Sequence, residues 1–211
     1  MTDSLALPAA AMVIFMSAAI YGFGFLNAEI GHWRSFWKTL PVAIMALFVA
    51  VFGGWLLTLA LALSAIGDYL LSRDEDKFTI GLVSFLSAHL LYIWLFWQMI
   101  EAASFGWGQA AMVAYTIVYG AYLWPRAGEH RIAVLAYIFV ITIMVASALM
   151  LPSGYLLVVF GSLSFAVSDS VLALEMFVIT KKEARVALSK VVWVSYIAAQ
   201  GLLVIGLYEI S

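Results

Sequence analysis

The chain consists mainly of apolar stretches separated by short polar connections. A membrane-spanning helix needs about 20 consecutive apolar residues, and eight stretches approach that length. The pattern predicts an all-α polytopic membrane protein, a bundle of eight transmembrane helices forming a single domain over residues 1–211. The predicted spans are roughly 7–26, 37–52, 54–71, 80–100, 108–124, 131–151, 154–179 and 187–208.

The ten basic residues predict an orientation for this bundle. They follow the first, third, fifth and seventh stretches, and none follows an even one. Because Lys and Arg are retained on the cytoplasmic side of a membrane, we expect these connections to be cytoplasmic and both termini to lie outside. The N-terminal Met-Thr-Asp-Ser lacks the basic region of a cleaved signal peptide, so we expect the first span to be retained. These features are typical of a multi-pass protein of the inner (plasma) membrane.

Composition supports a membrane location and narrows the class of function. The 211 residues are 66% hydrophobic and 10% charged, whereas soluble domains are about half apolar and a quarter charged. The net charge of -2 gives no basic excess for binding nucleic acid. Cysteine is absent, which excludes disulfides and thiolate metal sites. Nothing in the pattern indicates an oligomeric state.

Ionisable side chains within the predicted spans are the main functional signal. Each costs roughly 2.5–3.5 kcal/mol on insertion scales, so such groups usually face a cavity or a partner. Asp68 lies in the third span, His89 in the fourth and Asp169 in the seventh, with Glu175 towards its end. The third and seventh spans run inwards, and each aspartate lies about 20 Å along its span by the helical rise. We therefore expect Asp68, His89 and Asp169 at similar levels in the cytoplasmic half of the membrane.

Further polar side chains are predicted near this level. Ser64 precedes Asp68 by four residues and Tyr92 follows His89 by three, so each pair shares a helix face. Lys38 lies at the cytoplasmic mouth of the second span. A polar stripe on the eighth span comprises Ser189, Trp193, Tyr196 and Gln200. We expect these groups to converge on a pocket that opens to the cytoplasmic leaflet.

Plain structural interpretations exist for several of these residues. Trp193 is typical of an interfacial anchor, and Ser64 and Ser189 could simply pack helices. Glu175 lies close enough to the predicted boundary to extend into water. A structural aspartate–lysine pair is a further alternative. His89 with two aspartates could bind a metal, but no ligand pair has helical i, i+3 or i, i+4 spacing, and HExxH, GxSxG and P-loop motifs are absent.

Five short motifs contain most of these polar residues. They are Lys38-x-Leu40-Pro41, Ala62-Leu63-Ser64-x-x-Gly67-Asp68-x-x-Leu71, Phe78-x-x-Gly81-x-x-Ser84-Phe85-x-x-Ala88-His89-x-x-Tyr92, Gly161-x-x-x-Phe165-x-x-Ser168-Asp169-Ser170 and Tyr196-x-x-x-Gln200-Gly201. In this order and spacing they resemble the YhhN-like lysoplasmalogenase family of integral membrane proteins. The second acidic motif departs slightly, because it has a serine before the aspartate where the first has a glycine.

The resemblance implies an eight-helix fold and a hydrolase that cleaves the vinyl ether bond of lysoplasmalogens to a fatty aldehyde and a glycerophospho-base. It also implies functional roles for Asp68, Asp169, His89, Tyr92 and Lys38. A vinyl ether is hydrolysed by protonating its carbon–carbon double bond, after which water attacks the oxocarbenium ion. A carboxylic acid and a carboxylate suffice for this chemistry, so we expect neither a metal nor a cofactor.

The resulting prediction is a membrane-embedded hydrolase that uses paired-aspartate acid–base chemistry on a lysophospholipid, with membrane lipids as its surroundings. The predicted catalytic residues are Asp68, Asp169 and His89. The predicted substrate-binding residues are Lys38, which would hold the phosphate, and Ser64, Tyr92, Tyr196 and Gln200.

The leading alternative is a proton-coupled transporter or lipid carrier in which Asp68, His89 and Asp169 relay protons. The two aspartate segments lie about a hundred residues apart in similarly oriented spans, as in parallel repeats. However, no span is clearly interrupted mid-membrane by Gly or Pro. A non-catalytic membrane scaffold is the third hypothesis, and it would tolerate replacement of either aspartate by asparagine.

The predicted orientation can be tested with a reporter fused after Ser211. Because all the basic residues fall in odd-numbered connections, we expect a reporter that is active only outside the cytoplasm to be functional there. A reporter that functions only in the cytoplasm should remain inactive at the same position. The reverse pair of results would contradict the orientation.

Overall fold

The computed structural model describes residues 3–51, 54–73 and 77–208. Within these ranges the chain forms eight α-helices and no β-strand, which confirms the predicted all-α class. A π-helical segment, Tyr21–Phe25, follows the first helix, and short 3-10 turns precede the sixth and seventh. The helices are α1 (Asp3–Ile20), α2 (His32–Val51), α3 (Trp55–Leu71), α4 (Phe78–Trp97), α5 (Trp107–Leu123), α6 (Arg131–Ala148), α7 (Leu156–Phe177) and α8 (Lys182–Tyr208).

Most of these helices have the length and apolarity of membrane spans. In the described part of the chain, six helical segments meet both criteria, and α3 is an additional, shorter apolar helix. Both α3 and α5 have 17 residues, so each is about 26 Å long against a hydrocarbon core of about 30 Å. The six are Pro8–Phe25, His32–Val51, Phe78–Trp97, Gly128–Ala148, Ser153–Phe177 and Lys182–Tyr208.

Two helices, α2 and α8, begin about five residues earlier than the apolar pattern predicts. α2 starts at His32 rather than near residue 37, and α8 starts at Lys182 rather than near residue 187. Hydropathy marks the apolar part of a helix, whereas the helix itself continues into polar sequence. As a result Arg34 lies on α2 itself instead of in the preceding connection.

The chain divides into two compact units, Met1–Ala88 (the first unit) and His89–Ser211 (the second unit), and the division falls inside α4. In the first unit α2 packs against α1 and α3. The segment Phe78–Ala88 of α4 lies close to α3, because a Cβ atom at Gly67 would be only 2.5 Å from the Phe85 ring. Ser84 also donates a hydrogen bond to the main-chain oxygen of Leu63 at 2.7 Å.

In the second unit α7 and α8 make the most extensive contact of any helix pair. Ser164 of α7 donates to the main-chain oxygen of Ser195 of α8 at 2.8 Å. A Cβ atom at Gly206 of α8 would lie 3.0 Å from the main-chain nitrogen of Val158 of α7. Small residues permit this backbone approach, which is how helices commonly associate in membranes.

The close contact at Gly206 generates a stability prediction. We expect Gly206→Ala to lower the melting temperature in detergent, because overpacking at a close helix contact costs about 1–3 kcal/mol. Gly201→Ala is the matched control on the same helix, since no atom lies within 4 Å of its added Cβ. That variant should keep or raise the melting temperature, because Ala favours a helix by about 1 kcal/mol over Gly. Equal stabilisation by both substitutions would contradict the close contact.

Candidate functional site

Asp169 of α7 is held by side chains from two other helices of the second unit. Tyr137 of α6 donates a hydrogen bond to its Oδ2 atom at 3.0 Å. The Nε2 atom of His89 on α4 lies 3.7 Å from the same oxygen, which is ion-pair distance rather than a hydrogen bond. The His89 side chain is fully buried and that of Asp169 is 11% exposed. A carboxylate, an imidazole and a phenol therefore meet in a nearly dry environment.

The residues on either side of Asp169 anchor α7 to further helices. Ser168 donates to the main-chain oxygen of Val192 on α8 at 3.0 Å. The hydroxyl of Tyr119 on α5 donates to the main-chain oxygen of Ser170 at 2.5 Å, and that of Tyr115 lies 2.7 Å from the Ser170 hydroxyl. These contacts with α5 and α8 fix the rotation of α7 about its own axis, and with it the direction of the Asp169 side chain.

Aromatic rings form the surroundings of the His89 imidazole. The ring of Phe165 stands edge-on at a centroid distance of 4.5 Å, and that of Tyr137 at 5.4 Å. Packed aromatic rings exclude water from the imidazole, and electrostatic interactions are stronger in such a low-dielectric site. Hydrogen bonds at catalytic groups are often long before substrate binds, so the His89–Asp169 distance is compatible with proton transfer between the two groups.

Three predicted substrate-binding residues form one buried hydrogen-bonded chain. Tyr92 of α4 donates to Gln200 Oε1 of α8 at 2.7 Å, and Gln200 Nε2 donates to the Tyr196 hydroxyl at 3.4 Å. Tyr196 also packs edge-on against Phe165, the ring that contacts His89. The chain therefore lies beside the His89 environment and fixes α4 against α8.

Asp68 has its partner in the first unit. The Lys38 Nζ atom of α2 lies 3.6 Å from Asp68 Oδ1 of α3. The Asp68 side chain is 2% exposed and that of Lys38 is 20% exposed, so the cation reaches inwards to a buried carboxylate. One turn earlier on α3, the buried hydroxyl of Ser64 has no hydrogen-bond partner among the described residues.

The remaining candidates from the sequence have separate surroundings. Ser189 of α8 donates to Glu175 Oε1 of α7 at 2.7 Å, so the first residue of the predicted stripe pairs with this glutamate. Trp193 is buried and packs against Tyr196, which fits a core residue rather than an interfacial anchor. Across the described residues, no group of three or more His, Asp or Glu side chains could hold a metal ion.

Sequence reasoning missed the tyrosines of α5 and α6 that contact α7. Tyr137 stands alone in an apolar helix, and only its hydroxyl distinguishes it from its neighbours. Tyr115 and Tyr119 are four residues apart, so they share a face of α5 and could have been noticed as a pair. Their hydroxyls find acceptors on α7, as buried tyrosine hydroxyls usually do.

Comparison with known proteins agrees with the sequence motifs. Residues 33–207 match the YhhN family. The lysoplasmalogenases of Mycobacterium bovis and Mycobacterium tuberculosis are each 33% identical over 162 residues, which is 73% of this chain and 60% of theirs. Lysoplasmalogenase TMEM86B of Sus scrofa is 29% identical over 197 residues, which is 90% of this chain and 82% of its own.

The chain thus matches about three fifths of the length of the mycobacterial relatives. No solved structure matches it significantly. The family match extends from the start of α2 almost to the end of α8 and includes every predicted site residue. On this evidence the chain belongs to the YhhN family.

Proposed function

We propose that this protein is a hydrolase that cleaves the vinyl ether bond of lysoplasmalogen-type lysolipids within the inner membrane. The names of its relatives support the substrate class. The main structural support is the largely buried Asp169 carboxylate, which accepts a hydrogen bond from Tyr137 and lies at ion-pair distance from His89. The eight spans and the external termini predicted from sequence are part of the same proposal.

The reaction needs a proton donor and a proton acceptor, but it needs no intermediate that is covalently bonded to the enzyme. A proton adds to the alkenyl carbon that is not bonded to oxygen, which leaves an oxocarbenium ion. Water attacks this cation and loses a proton, giving a hemiacetal. The hemiacetal hydroxyl then loses its proton as the bond between the former alkenyl carbon and the glycerol oxygen breaks, the glycerol oxygen takes up a proton, and a fatty aldehyde departs. A positioned acid or base typically contributes a factor of about 100–10,000 to each proton transfer.

His89 and Asp169 are suited to the proton transfers. Imidazole can gain or lose a proton near neutral pH, and the adjacent carboxylate can stabilise positive charge on the ring or on the substrate. Tyr137 fixes the carboxylate by donating to the oxygen that faces His89. We propose Asp68, with Lys38 as its counterion, as the second acid–base group.

The other predicted substrate-binding residues remain part of the proposal. The buried Ser64 hydroxyl, one turn from Asp68, is suited to contact a polar atom of the lipid. Tyr92, Tyr196 and Gln200 bind one another, so we propose that they act as a preorganised group that shapes the lipid site.

A direct assay tests the proposed activity. Purified protein in detergent is incubated with an alkenyl lysophospholipid, and free aldehyde is measured against the alkyl ether analogue, which has no double bond to protonate. Aldehyde from the alkenyl lipid alone is expected. The His89–Asp169 pair would also suit a proton-coupled transporter or lipid carrier. Absence of aldehyde, together with uptake into proteoliposomes that depends on a proton gradient, would favour that alternative.

The two aspartates should both be required for turnover. We expect Asp68→Asn and Asp169→Asn each to lower kcat at least a hundredfold, about 2.7 kcal/mol in activation free energy, because an amide cannot transfer the proton. Glu175→Gln is the matched acid-to-amide control, since its partner is Ser189 and it lies outside the proposed chemistry. Near-normal kcat in either aspartate variant, with the control also normal, would refute the paired-acid mechanism.

The ion pair gives Lys38 a second role besides the phosphate contact predicted from sequence. Lys38→Gln should lower kcat, because it leaves the buried Asp68 carboxylate without its counterion, and Lys38→Arg should retain most of kcat. Steady-state kinetics separate the two roles. An increase in KM with unchanged kcat would show that the lysine only binds the substrate, since a remote contact stabilises ground and transition states equally.

A further inference from the structure

Arg34 is a half-buried arginine of the first unit whose guanidinium is poorly satisfied. Its Nε atom is buried and has no hydrogen-bond partner among the described residues. Its hydrogen bond to the described part of the chain runs from Nη2 to the main-chain oxygen of Leu26, at a long 3.5 Å. A guanidinium has five N–H donors, and a buried donor without an acceptor is costly. Arg34 therefore has unused capacity for an anionic ligand.

The local electrostatics also favour an anion beside Arg34. It lies in the first turn of α2, a turn without an acidic residue, and the positive end of the helix dipole adds to its charge. Lys38 follows it by one turn on the same face. Within the described ranges no carboxylate pairs with Arg34, whereas the nearby lysine is paired with Asp68. The excess positive charge thus has no counterion from these residues.

We propose that Arg34 binds the phosphate of the lysophospholipid head group. This assignment rests on the proposed function, and it gives the phosphate contact that the sequence suggested for Lys38 to Arg34 instead. An arginine can bind two phosphate oxygens through parallel hydrogen bonds, which a lysine cannot do. Phosphate binding by Arg34 leaves Lys38 available to Asp68. The two cations of α2 then have different anions, one from the substrate and one from the protein.

The test compares two substrates that differ only in the phosphate. An alkenyl lysophosphatidylethanolamine contains it, and the corresponding 1-alkenylglycerol lacks it. We expect Arg34→Gln to raise KM for the phospholipid about tenfold or more with little change in kcat, and to leave KM for the alkenylglycerol unchanged. Arg34→Lys should give an intermediate KM, because it keeps the charge but loses the bidentate geometry.

Arg185→Gln is the matched control, because Arg185 is an exposed arginine near the beginning of α8 and the charge change is the same. It should leave both KM values unchanged. Equal KM increases for the two substrates in Arg34→Gln, or a loss of kcat alone, would overturn the phosphate assignment. If Arg34→Gln does not give folded protein, the same comparison is made with Arg34→Lys.

A binding measurement separates this proposal from the proposed activity. The alkyl ether lysophospholipid is titrated in detergent, and its Kd is read from tryptophan fluorescence. If the wild-type protein releases no aldehyde but Arg34→Gln binds the lysolipid more weakly than wild type, the phosphate site is supported and the hydrolase is rejected. If the wild-type protein releases aldehyde but Arg34→Gln binds the lysolipid as tightly as wild type, only the phosphate site is rejected.

The same titration distinguishes the substrate from bulk phospholipid as the source of the phosphate. It is repeated with excess diacyl phosphatidylcholine added to the detergent. We expect wild-type affinity for the lysolipid to persist. Displacement of the lysolipid from wild type, but not from Arg34→Gln, would show that Arg34 binds an ordinary membrane lipid and would overturn the proposal.

Discussion

A carboxylate inside an apolar helix needs a partner, and this constraint explains much of how the helices are arranged. An isolated buried charge costs several kcal/mol even after relaxation, so each acid requires a helix that presents a donor or a cation. In the second unit Asp169 accepts a hydrogen bond from Tyr137 of α6 and lies at ion-pair distance from His89 of α4. In the first unit Asp68 forms an ion pair with Lys38 of α2. Among the groups that satisfy these acids, His89 is the one to which the proposed function assigns proton transfer.

The packing around α7 shows how such a site is kept in place. The aspartate is flanked by two serines, and each binds a different neighbouring helix. Further along, Gly206 allows the backbones of α7 and α8 to approach closely. Because a membrane interior offers little hydrophobic force between helices, small residues and side-chain hydrogen bonds supply the association. The stability of the helix packing and the placement of the proposed catalytic groups thus depend on the same contacts.

Positive charge is divided between two residues of α2 in a way that suits the proposed phospholipid substrate. Lys38 reaches a buried carboxylate, while Arg34 has a buried nitrogen without an acceptor. A compact ammonium suits a single carboxylate, and a planar guanidinium suits a phosphate. In the proposed function, the head group and the acid–base chemistry therefore do not compete for one cation.

The amino-acid sequence was sufficient to predict the helical class, the number of helices and the unusual ionisable residues, because apolar length and buried charge are properties of a linear pattern. It also indicated the family through the order of its motifs. It could not identify Tyr137 as a partner of Asp169, because a lone tyrosine in an apolar helix gives no sign of the helix that it faces. It likewise treated Ser189 as part of a stripe leading to Gln200, whereas Ser189 binds Glu175. Such pairings depend on how each helix is rotated about its axis, and that rotation is decided by all the contacts of the packed helices together.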